Sequence, residues 1–331
     1  MASASTVLTV INQIGPEIGH ILSGLGERIQ VVDQSRDVSE PWNTGEADIL
    51  LTGPSVAWRN APEAPPADWN PSLRWVQIAS AGVDGFPEWL LQGREITTGR
   101  GNAARPIAEY VFLALLAQTK RFETFKPSSP DDWVQQASAV KHDAPLGSLA
   151  GQTLGLAGYG AIGQEIARLA QSFGMTVLVW RRSAWAEGEA VRERVQPVSD
   201  LGTLFERSDH LVLALPLTSE TNRIVGADVL ARAKPGLHLV NVARGKLIDE
   251  TALLGSLDHG RIAAATLDVT WPEPPSAGHP FYTHPRIRLT PHISWSGPDV
   301  LASLGQRITR NFENFLHGRP LEARLDLSRG Y

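Results

Sequence analysis

The chain has 331 residues, of which 42% are hydrophobic and 20% are charged, and its formal net charge is −5 at pH 7. This length allows two domains with well-filled cores, and the ordinary composition is typical of a soluble globular protein. The slightly acidic balance gives no electrostatic reason to expect a nucleic acid or an anionic membrane as a partner. The absence of cysteine excludes disulfides, thiolate metal ligands and cysteine nucleophiles, and we predict no metal site.

The cellular location is predicted from two further absences. The first residues, MASASTVLTVINQIG, lack the basic segment of a secretory signal. No uninterrupted apolar run approaches the ~20 residues that a membrane helix requires. We therefore expect a cytoplasmic protein with no membrane contact.

The first third of the chain is predicted to form a parallel α/β unit of its own. Short apolar or β-branched runs, typical of buried strands, alternate here with helical or irregular connections. Strands are predicted at residues 6–11, 28–32, 49–52, 75–79 and 96–98, and a helix at residues 18–25. Residues 79–84, Ala-Ser-Ala-Gly-Val-Asp, follow a strand at its carboxyl end, where open α/β sheets bind ligands. A plain strand-to-helix turn is the alternative interpretation of this segment.

A helix with proline in its first turn is predicted next, at residues 106–118. Residues 122–149 then lose the periodic pattern, which is typical either of a dimerisation arm or of a surface excursion. Later strands are predicted at residues 211–215, 237–240, 262–267 and 287–289, and a last helix at 300–315. Because this helix has no strand partner nearby, we expect it to return to the first unit. The predicted domains are a discontinuous one, residues 1–102 and 298–331, and an inserted one, residues 103–297.

Residues 151–182 are predicted to form a strand, a glycine turn, a helix and a second strand, which together make half of a dinucleotide-binding unit. Gly158, Gly160 and Gly163 have the spacing G-x-G-x-x-G. The first permits a tight turn, the second lets the backbone approach a pyrophosphate, and the third lets the helix pack against the strand. The spacing alone is also typical of an ordinary βα turn, but the flanking strands favour nucleotide binding. Phosphate is expected at the helix N-terminus, with Ala161 and Ile162.

The end of the second strand predicts which cofactor binds. An NAD site expects Asp or Glu ~20 residues after the glycines, where the carboxylate bonds the ribose 2′-hydroxyl. This chain has Arg181, Arg182 and Ser183 instead, and Arg181 lies 21 positions after Gly160. Two guanidinium groups and a hydroxyl offer charge-assisted bonds to a 2′-phosphate, and no carboxylate follows this strand directly. We therefore predict that NADP(H) is preferred; if the arginines face solvent, NAD(H) is accepted as well.

Polar residues end several predicted strands, and the ends of parallel strands converge on the cofactor crevice of a doubly wound sheet. These residues are Arg181, Arg244, Asp268 and His292. Their convergence makes four independent surface roles less probable. Each also has a simpler alternative: Arg244 and Asp268 as turn caps, Arg181 as a solvent-facing side chain, and His292 as a loop histidine.

The segments LPLTSETN, NVARGKLIDETALLGSLDHGRIAAATLDV, the pair Glu273-Pro274 and TPHIS follow the glycine turn in that order. The segment SAGVD and the helix start at residues 107–109, Ile-Ala-Glu, precede the turn. In these motifs the chain resembles the D-isomer-specific 2-hydroxyacid dehydrogenase family over residues 75–320. The combined motifs are far more specific than the glycine turn.

The resemblance implies an α/β fold of two doubly wound parallel-sheet domains, a flavodoxin-like substrate domain with a Rossmann cofactor domain inserted in it. It implies Arg244 as the substrate clamp, His292 as the acid/base and Glu273 as the partner of the histidine. Hydride transfer to a 2-oxo acid builds negative charge on the carbonyl oxygen, and histidine, with an ordinary pKa of ~6.5, suits the role of proton donor. Arginine presents a planar fork that matches a carboxylate. For Glu273, the simpler alternative is a solvated surface position.

The resemblance also implies the remaining binding residues. The backbone amides of Ala81 and Gly82 are expected to complete the substrate carboxylate site. At the strand ends, the residues expected to bind the cofactor are Pro216, Val242, Ala243 and Asp268, with Asp268 on the nicotinamide side.

We therefore expect a reductase that transfers a hydride between NADP(H) and a small 2-oxo acid such as glyoxylate or hydroxypyruvate. The resemblance implies a homodimer, with its contact in residues 106–149. Two alternatives stay open: an NAD-dependent enzyme similar to phosphoglycerate dehydrogenase, and a non-catalytic dinucleotide sensor that binds partner proteins.

Overall fold

A computed structural model describes residues 7–26 and 28–327. These residues form two compact units, one of residues up to 103 together with those from 297 on, the other of residues 104–296. Each unit contains one sheet in which all strands are parallel. The predicted fold class, two parallel-sheet α/β domains, is confirmed. Thr6, the predicted first residue of the opening strand, lies outside the described residues, as do residues 328–331.

Within the described residues, the strands are β1 (Leu8–Asn12), β2 (Ile29–Asp33), β3 (Ile49–Thr52), β4 (Trp75–Ile78), β5 (Glu95–Thr98), β6 (Thr153–Ala157), β7 (Thr176–Trp180), β8 (Gln196–Pro197), β9 (His210–Leu213), β10 (His238–Asn241), β11 (Ala264–Leu267) and β12 (Ile287–Leu289). The α-helices are α1 (Pro16–Ser23), α2 (Val56–Arg59), α3 (Glu88–Leu91), α4 (Ala104–Thr119), α5 (Pro130–Ser138), α6 (Ala161–Ser172), α7 (Glu189–Arg192), α8 (Leu201–Arg207), α9 (Ala227–Ala231), α10 (Glu250–Asp258) and α11 (Val300–Leu316). None of them is both long and apolar enough to span a bilayer.

The first unit has the strand order β2-β1-β3-β4-β5, which is the flavodoxin-like order. Strand β3 is buried at every position, so its sequence is a continuous apolar run rather than an alternating one. The last helix, α11, belongs to this unit and has a buried face that includes Ile308 and Phe312. The ring of Phe312 packs edge-on against Trp75 of β4, with 4.9 Å between the ring centroids.

The second unit has the strand order β12-β11-β10-β9-β6-β7-β8. Counted from β6, this is the Rossmann order with one strand added beyond β11. The two-residue strand β8 has no sequence signal, because a run that short shows no periodicity. All seven strands point the same way, so their carboxyl ends share one edge of the sheet, and the loops leaving this edge carry most of the predicted site residues.

The segment of residues 122–149, which has no predicted helix, contains the helix α5. Ser129 caps it by accepting a hydrogen bond from the Asp132 amide, and Pro130 occupies its first turn. None of its residues is buried, so α5 lacks the buried apolar face that gives most helices a periodic pattern in the sequence. Trp133 and Val134 on this helix are 66% and 67% exposed, respectively.

Two neighbouring strands of the second sheet begin with buried histidines that contact each other. His210 of β9 and His238 of β10 are paired in register, and their Nδ1 atoms lie 3.1 Å apart. Gln152 Oε1 lies 2.9 Å from His210 Nε2, and Thr266 Oγ1 lies 2.9 Å from His238 Nε2. Burial lowers the pKa of His210 to about 4 and holds the pKa of His238 well below its ordinary value. Both rings are therefore neutral at pH 7.

These buried histidines predict that acid destabilises the fold. Below about pH 6.5 the unfolded chain binds protons at both histidines, whereas in the folded protein His210 is protonated only near pH 4. The free energy of unfolding therefore falls as the pH falls through this window, by roughly 3 kcal/mol for His210 alone. Urea unfolding at several pH values measures this slope.

In a His210→Gln variant, the slope of the free energy of unfolding against pH should be smaller by the contribution of one proton, roughly 1.4 kcal/mol per pH unit. The matched control is His20→Gln at an exposed histidine, which should keep the slope of the wild type. A His210→Gln protein with an unchanged slope would contradict the prediction.

Candidate active site

The glycine turn after β6 has the shape that a dinucleotide pyrophosphate needs. Gly158 has a φ of +104°, and a Cβ there would lie 2.5 Å from a carbonyl oxygen of the chain leaving β9. A Cβ on Gly163 would lie 2.5 Å from the carbonyl oxygen of Gly158. Gly160, the N-cap of α6, has open space where its Cβ would be. The first-turn amides that include Ala161 and Ile162 lack helical acceptors and are free to bind an anion. Because Gly160 has no side chain, a phosphate can approach these amides closely.

Arg181, at the end of β7, is held by an acidic residue from the following loop. Its guanidinium makes two parallel hydrogen bonds to the Glu189 carboxylate, at 2.8 and 2.7 Å. It also donates to the carbonyl oxygens of Ser183 and Ala184, and it stacks 3.7 Å above the centroid of Trp185. The hydrogen bonds from Arg181 are the main reason why the pKa of Glu189 falls to about 2. The sequence shows no carboxylate directly after this strand. In the structure, the loop places the carboxylate of Glu189, eight residues downstream, next to Arg181.

Arg182 and Ser183 are exposed residues of the same loop. The Arg182 side chain is 51% exposed, and its Nη1 atom lies 3.8 Å from the Glu220 carboxylate, which is a long ion pair. Both side chains are therefore accessible to a charged ligand, in contrast to the enclosed guanidinium of Arg181.

His292 and Glu273 form a hydrogen-bonded pair beyond the carboxyl ends of β12 and β11. The distance between His292 Nδ1 and Glu273 Oε2 is 3.0 Å. An ionised carboxylate can only accept hydrogen bonds, so Nδ1 carries the proton of this bond. Nε2 has no hydrogen-bond partner within the described part of the chain, and it is therefore the ring nitrogen that can exchange a proton with a ligand.

The Glu273 carboxylate is kept ionised by its neighbours. Burial by itself would raise its pKa, but the hydrogen bond and charge of His292, the Thr270 amide and the positive charge of Arg244 together lower it below the ordinary value. Glu273 is therefore negative at neutral pH and accepts the hydrogen bond from His292 Nδ1. The guanidinium charge of Arg244 thus acts on the Glu273 carboxylate.

A buried asparagine fixes the backbone that presents Arg244. The Asn241 amide group donates to the carbonyl oxygen of Arg244 at 2.9 Å, and its oxygen accepts from the Ala243 amide at 3.1 Å. The Arg244 side chain donates to the carbonyl oxygen of Ala243 at 2.7 Å. The side chain of Asn241, the last residue of β10, thus closes a turn in which the arginine begins a short 3₁₀ helix, Gly245–Leu247.

Asp268 is fully buried and holds the turn that carries His292. Its carboxylate accepts hydrogen bonds from the amides of Ile293 and Ser294, both at 2.9 Å, and from the Thr290 hydroxyl at 2.7 Å. The main chain adds a bond of 2.9 Å from the His292 amide to the carbonyl oxygen of Asp268. His292 itself has a φ of +53°, an unfavourable conformation for a residue with a side chain, which these bonds stabilise.

A tyrosine from α4 extends this network. Tyr110 Oη lies 2.5 Å from Thr290 Oγ1. Because Thr290 donates its own proton to Asp268, Tyr110 donates to Thr290. Neither Tyr110 nor Thr290 is among the predicted site residues, since a tyrosine on a helix and a threonine before a Pro-His pair carry no distinctive pattern.

The other predicted residues lie as follows. Pro216, Val242 and Ala243 follow β9 and β10 at the same sheet edge, and Val242 and Ala243 are buried. Ala81 and Gly82 belong to the first unit, on the loop after β4, where Ala81 is exposed. Among the described residues, no group of three His, Cys, Asp or Glu side chains is arranged to hold a metal ion.

Comparison with known proteins identifies relatives of this arrangement. Residues 112–294, more than half of the chain, match the family model described as D-isomer specific 2-hydroxyacid dehydrogenase, NAD binding domain. A glycerate dehydrogenase of Methylorubrum extorquens is 30% identical over 292 residues, which cover 86% of this chain and 90% of the relative. A glyoxylate reductase of Thermococcus gammatolerans is 32% identical over 253 residues, 75% of each chain.

A solved structure is similar over nearly the whole length. It is the D-isomer specific 2-hydroxyacid dehydrogenase of Xanthobacter autotrophicus Py2 in complex with NADPH and MES. The TM-score is 0.76 at 25% identity, with 98% of this chain and 100% of that chain covered.

The hydrogen bond from Thr290 to Asp268 predicts a measurable cost of removing it. Thr290→Val keeps the size of the side chain but leaves a buried carboxylate and the Tyr110 hydroxyl each without one partner. We expect the free energy of unfolding to fall by about 2 kcal/mol in urea unfolding. Thr176→Val, at an exposed strand position, is the control and should change it little. Equal stability of the two variants would show that the network around Asp268 does not stabilise the turn.

Proposed function

The chain belongs to the D-isomer-specific 2-hydroxyacid dehydrogenase family, and on this premise we propose that it is an NADP(H)-dependent reductase of a small 2-oxo acid such as glyoxylate or hydroxypyruvate. Membership makes it a 2-hydroxyacid oxidoreductase with a small acid as substrate. The observation that carries the proposal is the pair of His292 and Glu273 under the charge of Arg244, at the sheet edge that also holds the glycine turn. A relative named glyoxylate reductase supports a small acid as the substrate.

His292 is the proposed acid and base of the reaction. When bound, the nicotinamide supplies a hydride to the carbonyl carbon of the oxo acid or takes one up from the hydroxy acid. In reduction, Nε2 of the protonated imidazole donates its proton to the carbonyl oxygen as negative charge develops there. Glu273 holds the ring through Nδ1 and so leaves Nε2 to exchange the proton. In oxidation, neutral Nε2 accepts the hydroxyl proton.

Arg244 is the proposed clamp for the substrate carboxylate. Its planar fork can bind both carboxylate oxygens, and its positive charge polarises the adjacent carbonyl group. Asn241 acts through the backbone, by fixing the turn from which the arginine extends. The assignment of the Ala81 and Gly82 amides to the same carboxylate, and of Asp268 to the nicotinamide side of the cofactor, stays a prediction from the resemblance.

The proposed preference for NADP(H) rests on the residues after β7. Arg182 and Ser183 are exposed and can bond a 2′-phosphate, and Arg181 adds positive charge behind them. A relative of known structure binds NADPH, which supports the same choice here. NAD(H) is the alternative, because a 2′-hydroxyl needs none of these cations.

The acid substrate and the role of His292 are tested together. Glyoxylate, hydroxypyruvate, pyruvate and phenylpyruvate are offered with NADPH, and consumption of the nucleotide is followed by absorbance. We expect the highest kcat/KM with one of the first two acids. His292→Asn should lower kcat by about 10²–10⁴-fold with little change in KM, because it removes the proton donor. His284→Asn, at a histidine paired with the exposed Asp258, is the control and should leave kcat unchanged.

The same assay separates the enzyme from a dinucleotide sensor. Nucleotide binding without turnover of any acid, and without an effect of His292→Asn, would refute the proposed reductase and favour the sensor. Turnover only of a phosphorylated 2-oxo acid with NADH would favour the phosphoglycerate dehydrogenase-like alternative.

The cofactor preference has its own test. Comparison of kcat/KM for NADPH and NADH with the best acid should favour NADPH. Arg181→Asp should reverse the preference, because it places two carboxylates where a dianionic phosphate would bind. A clear preference of the wild type for NADH would refute this part of the proposal.

A homodimer that forms through residues 106–149 and a cytoplasmic location complete the proposal. Trp133 and Val134 on α5, together with Phe122, expose large apolar surfaces, which are typical of protein contacts. Light scattering should give twice the chain mass for the wild type, and Trp133→Glu combined with Val134→Glu should shift it towards the monomer. A monomeric wild type would refute the dimer.

A further inference from the structure

The loop after β7 contains an acidic residue that the strand-end pattern does not reveal. We propose that Glu189 sets the cofactor selectivity of this protein: its carboxylate occupies the guanidinium of Arg181 and so limits the preference for NADP(H) over NAD(H). This inference rests on the proposed function, because it presumes that the adenosine end of a dinucleotide lies against this loop.

The hydrogen bonds of Arg181 carry the first step. A guanidinium has five N–H donors. Arg181 already uses Nε on the Ser183 carbonyl, Nη1 on Glu189 Oε1, and Nη2 on both Glu189 Oε2 and the Ala184 carbonyl. One donor is therefore left. A 2′-phosphate can obtain a bidentate bond from Arg181 only if it displaces the Glu189 carboxylate.

The pair of Arg181 and Glu189 is well enclosed, so a 2′-phosphate that competes with Glu189 for the guanidinium must break a shielded ion pair. The side chains of Arg181 and Glu189 are only 12% and 20% exposed. Trp185 covers the guanidinium at 3.7 Å, and the Ala186 amide donates to Glu189 Oε2 at 2.8 Å. Exposed ion pairs contribute little because solvent screens them and because their side chains lose freedom. This pair is shielded on one side by an aromatic ring and is geometrically bidentate, so displacing it costs the ligand part of its binding energy.

A second contact ties this loop to the glycine turn. Tyr159, the residue between the first two glycines of the motif, is buried and donates from its hydroxyl to Glu193 at 3.3 Å. Its ring lies 5.3 Å from that of Trp185, between centroids. Trp185, the ring that covers Arg181, is therefore packed against the residue at the centre of the glycine turn, so the loop that carries Glu189 is attached to this turn.

The two cofactors differ in what they meet here. A 2′-phosphate is close to dianionic, so a nearby carboxylate opposes it. A ribose 2′-hydroxyl is neutral and can donate to a carboxylate, as it does to the strand-end acid of NAD sites. Arg182, Ser183 and the charge of Arg181 favour the phosphate, while Glu189 opposes it. Because these groups act in opposite directions, we expect a modest preference for NADPH, which Glu189 makes smaller.

Binding measurements on the intact protein test this directly, without any acid substrate. Calorimetric Kd values for NADPH and NADH are compared for the wild type and Glu189→Gln. We expect Glu189→Gln to bind NADPH about tenfold more tightly, because a repelling charge is removed and the guanidinium fork is released. Its Kd for NADH should stay the same or increase. The matched control is Glu187→Gln, which removes the same charge at an exposed residue two positions away.

The outcomes separate this inference from the function on which it rests. If the wild type binds both nucleotides and Glu189→Gln changes neither Kd, or changes both equally, Glu189 does not select the cofactor although the reductase proposal stands. If Glu187→Gln tightens NADPH binding as much as Glu189→Gln does, the effect is net charge alone and the inference fails. If the wild type binds neither nucleotide, both proposals fail. Glu189→Ala removes the same carboxylate and repeats the measurement should the glutamine variant not fold.

Discussion

The hydrogen bond between His292 Nδ1 and Glu273 is the interaction on which the proposed chemistry of this site depends. It places a proton on Nδ1 and leaves Nε2 as the ring nitrogen that can exchange a proton with a ligand. The two residues are 19 positions apart, and they meet only because β11 and β12 are adjacent parallel strands that end at one edge. The parallel sheet is thus the constraint that assembles the site, and the charge of Arg244 reaches it from the next strand, β10.

Around this pair, buried polar side chains hold each functional group by its backbone. Asp268 satisfies the amides of the His292 turn, and Asn241 does the same for the Arg244 turn. Both are almost fully buried at the ends of adjacent strands, where an unpaired polar group would be costly, and each makes hydrogen bonds to its loop. The loop after β7 follows a different rule. There an ion pair and an aromatic stack enclose Arg181, whereas Arg182 and Ser183 are exposed.

The elements with strong periodic patterns were predictable, and those without such patterns were not. Continuous apolar runs gave strands such as β3 and β6, and the amphipathic faces of α6 and α11 gave their helices, because burial of one face leaves a signal in the sequence. Helix α5 buries nothing and β8 has two residues, so neither has such a signal. For the site, the resemblance pointed to Glu273 and His292, but the contacts of Glu189 and Tyr110 depend on loop and tertiary geometry. From the sequence, Arg181 was expected to be available to a phosphate, because a sequence does not show which carboxylate of the following loop lies against the guanidinium.

The state of the His292 ring tests the central claim most directly. The protein labelled with ¹⁵N in its histidines can be titrated and the ring nitrogens of His292 followed by NMR, with His292→Asn used to assign them. Our account predicts that Nδ1 stays protonated across the titration, that Nε2 is the nitrogen that gains and loses the proton, and that Glu273→Gln removes the preference for this tautomer. A neutral ring protonated at Nε2, or a ring whose tautomer ignores Glu273→Gln, would contradict it.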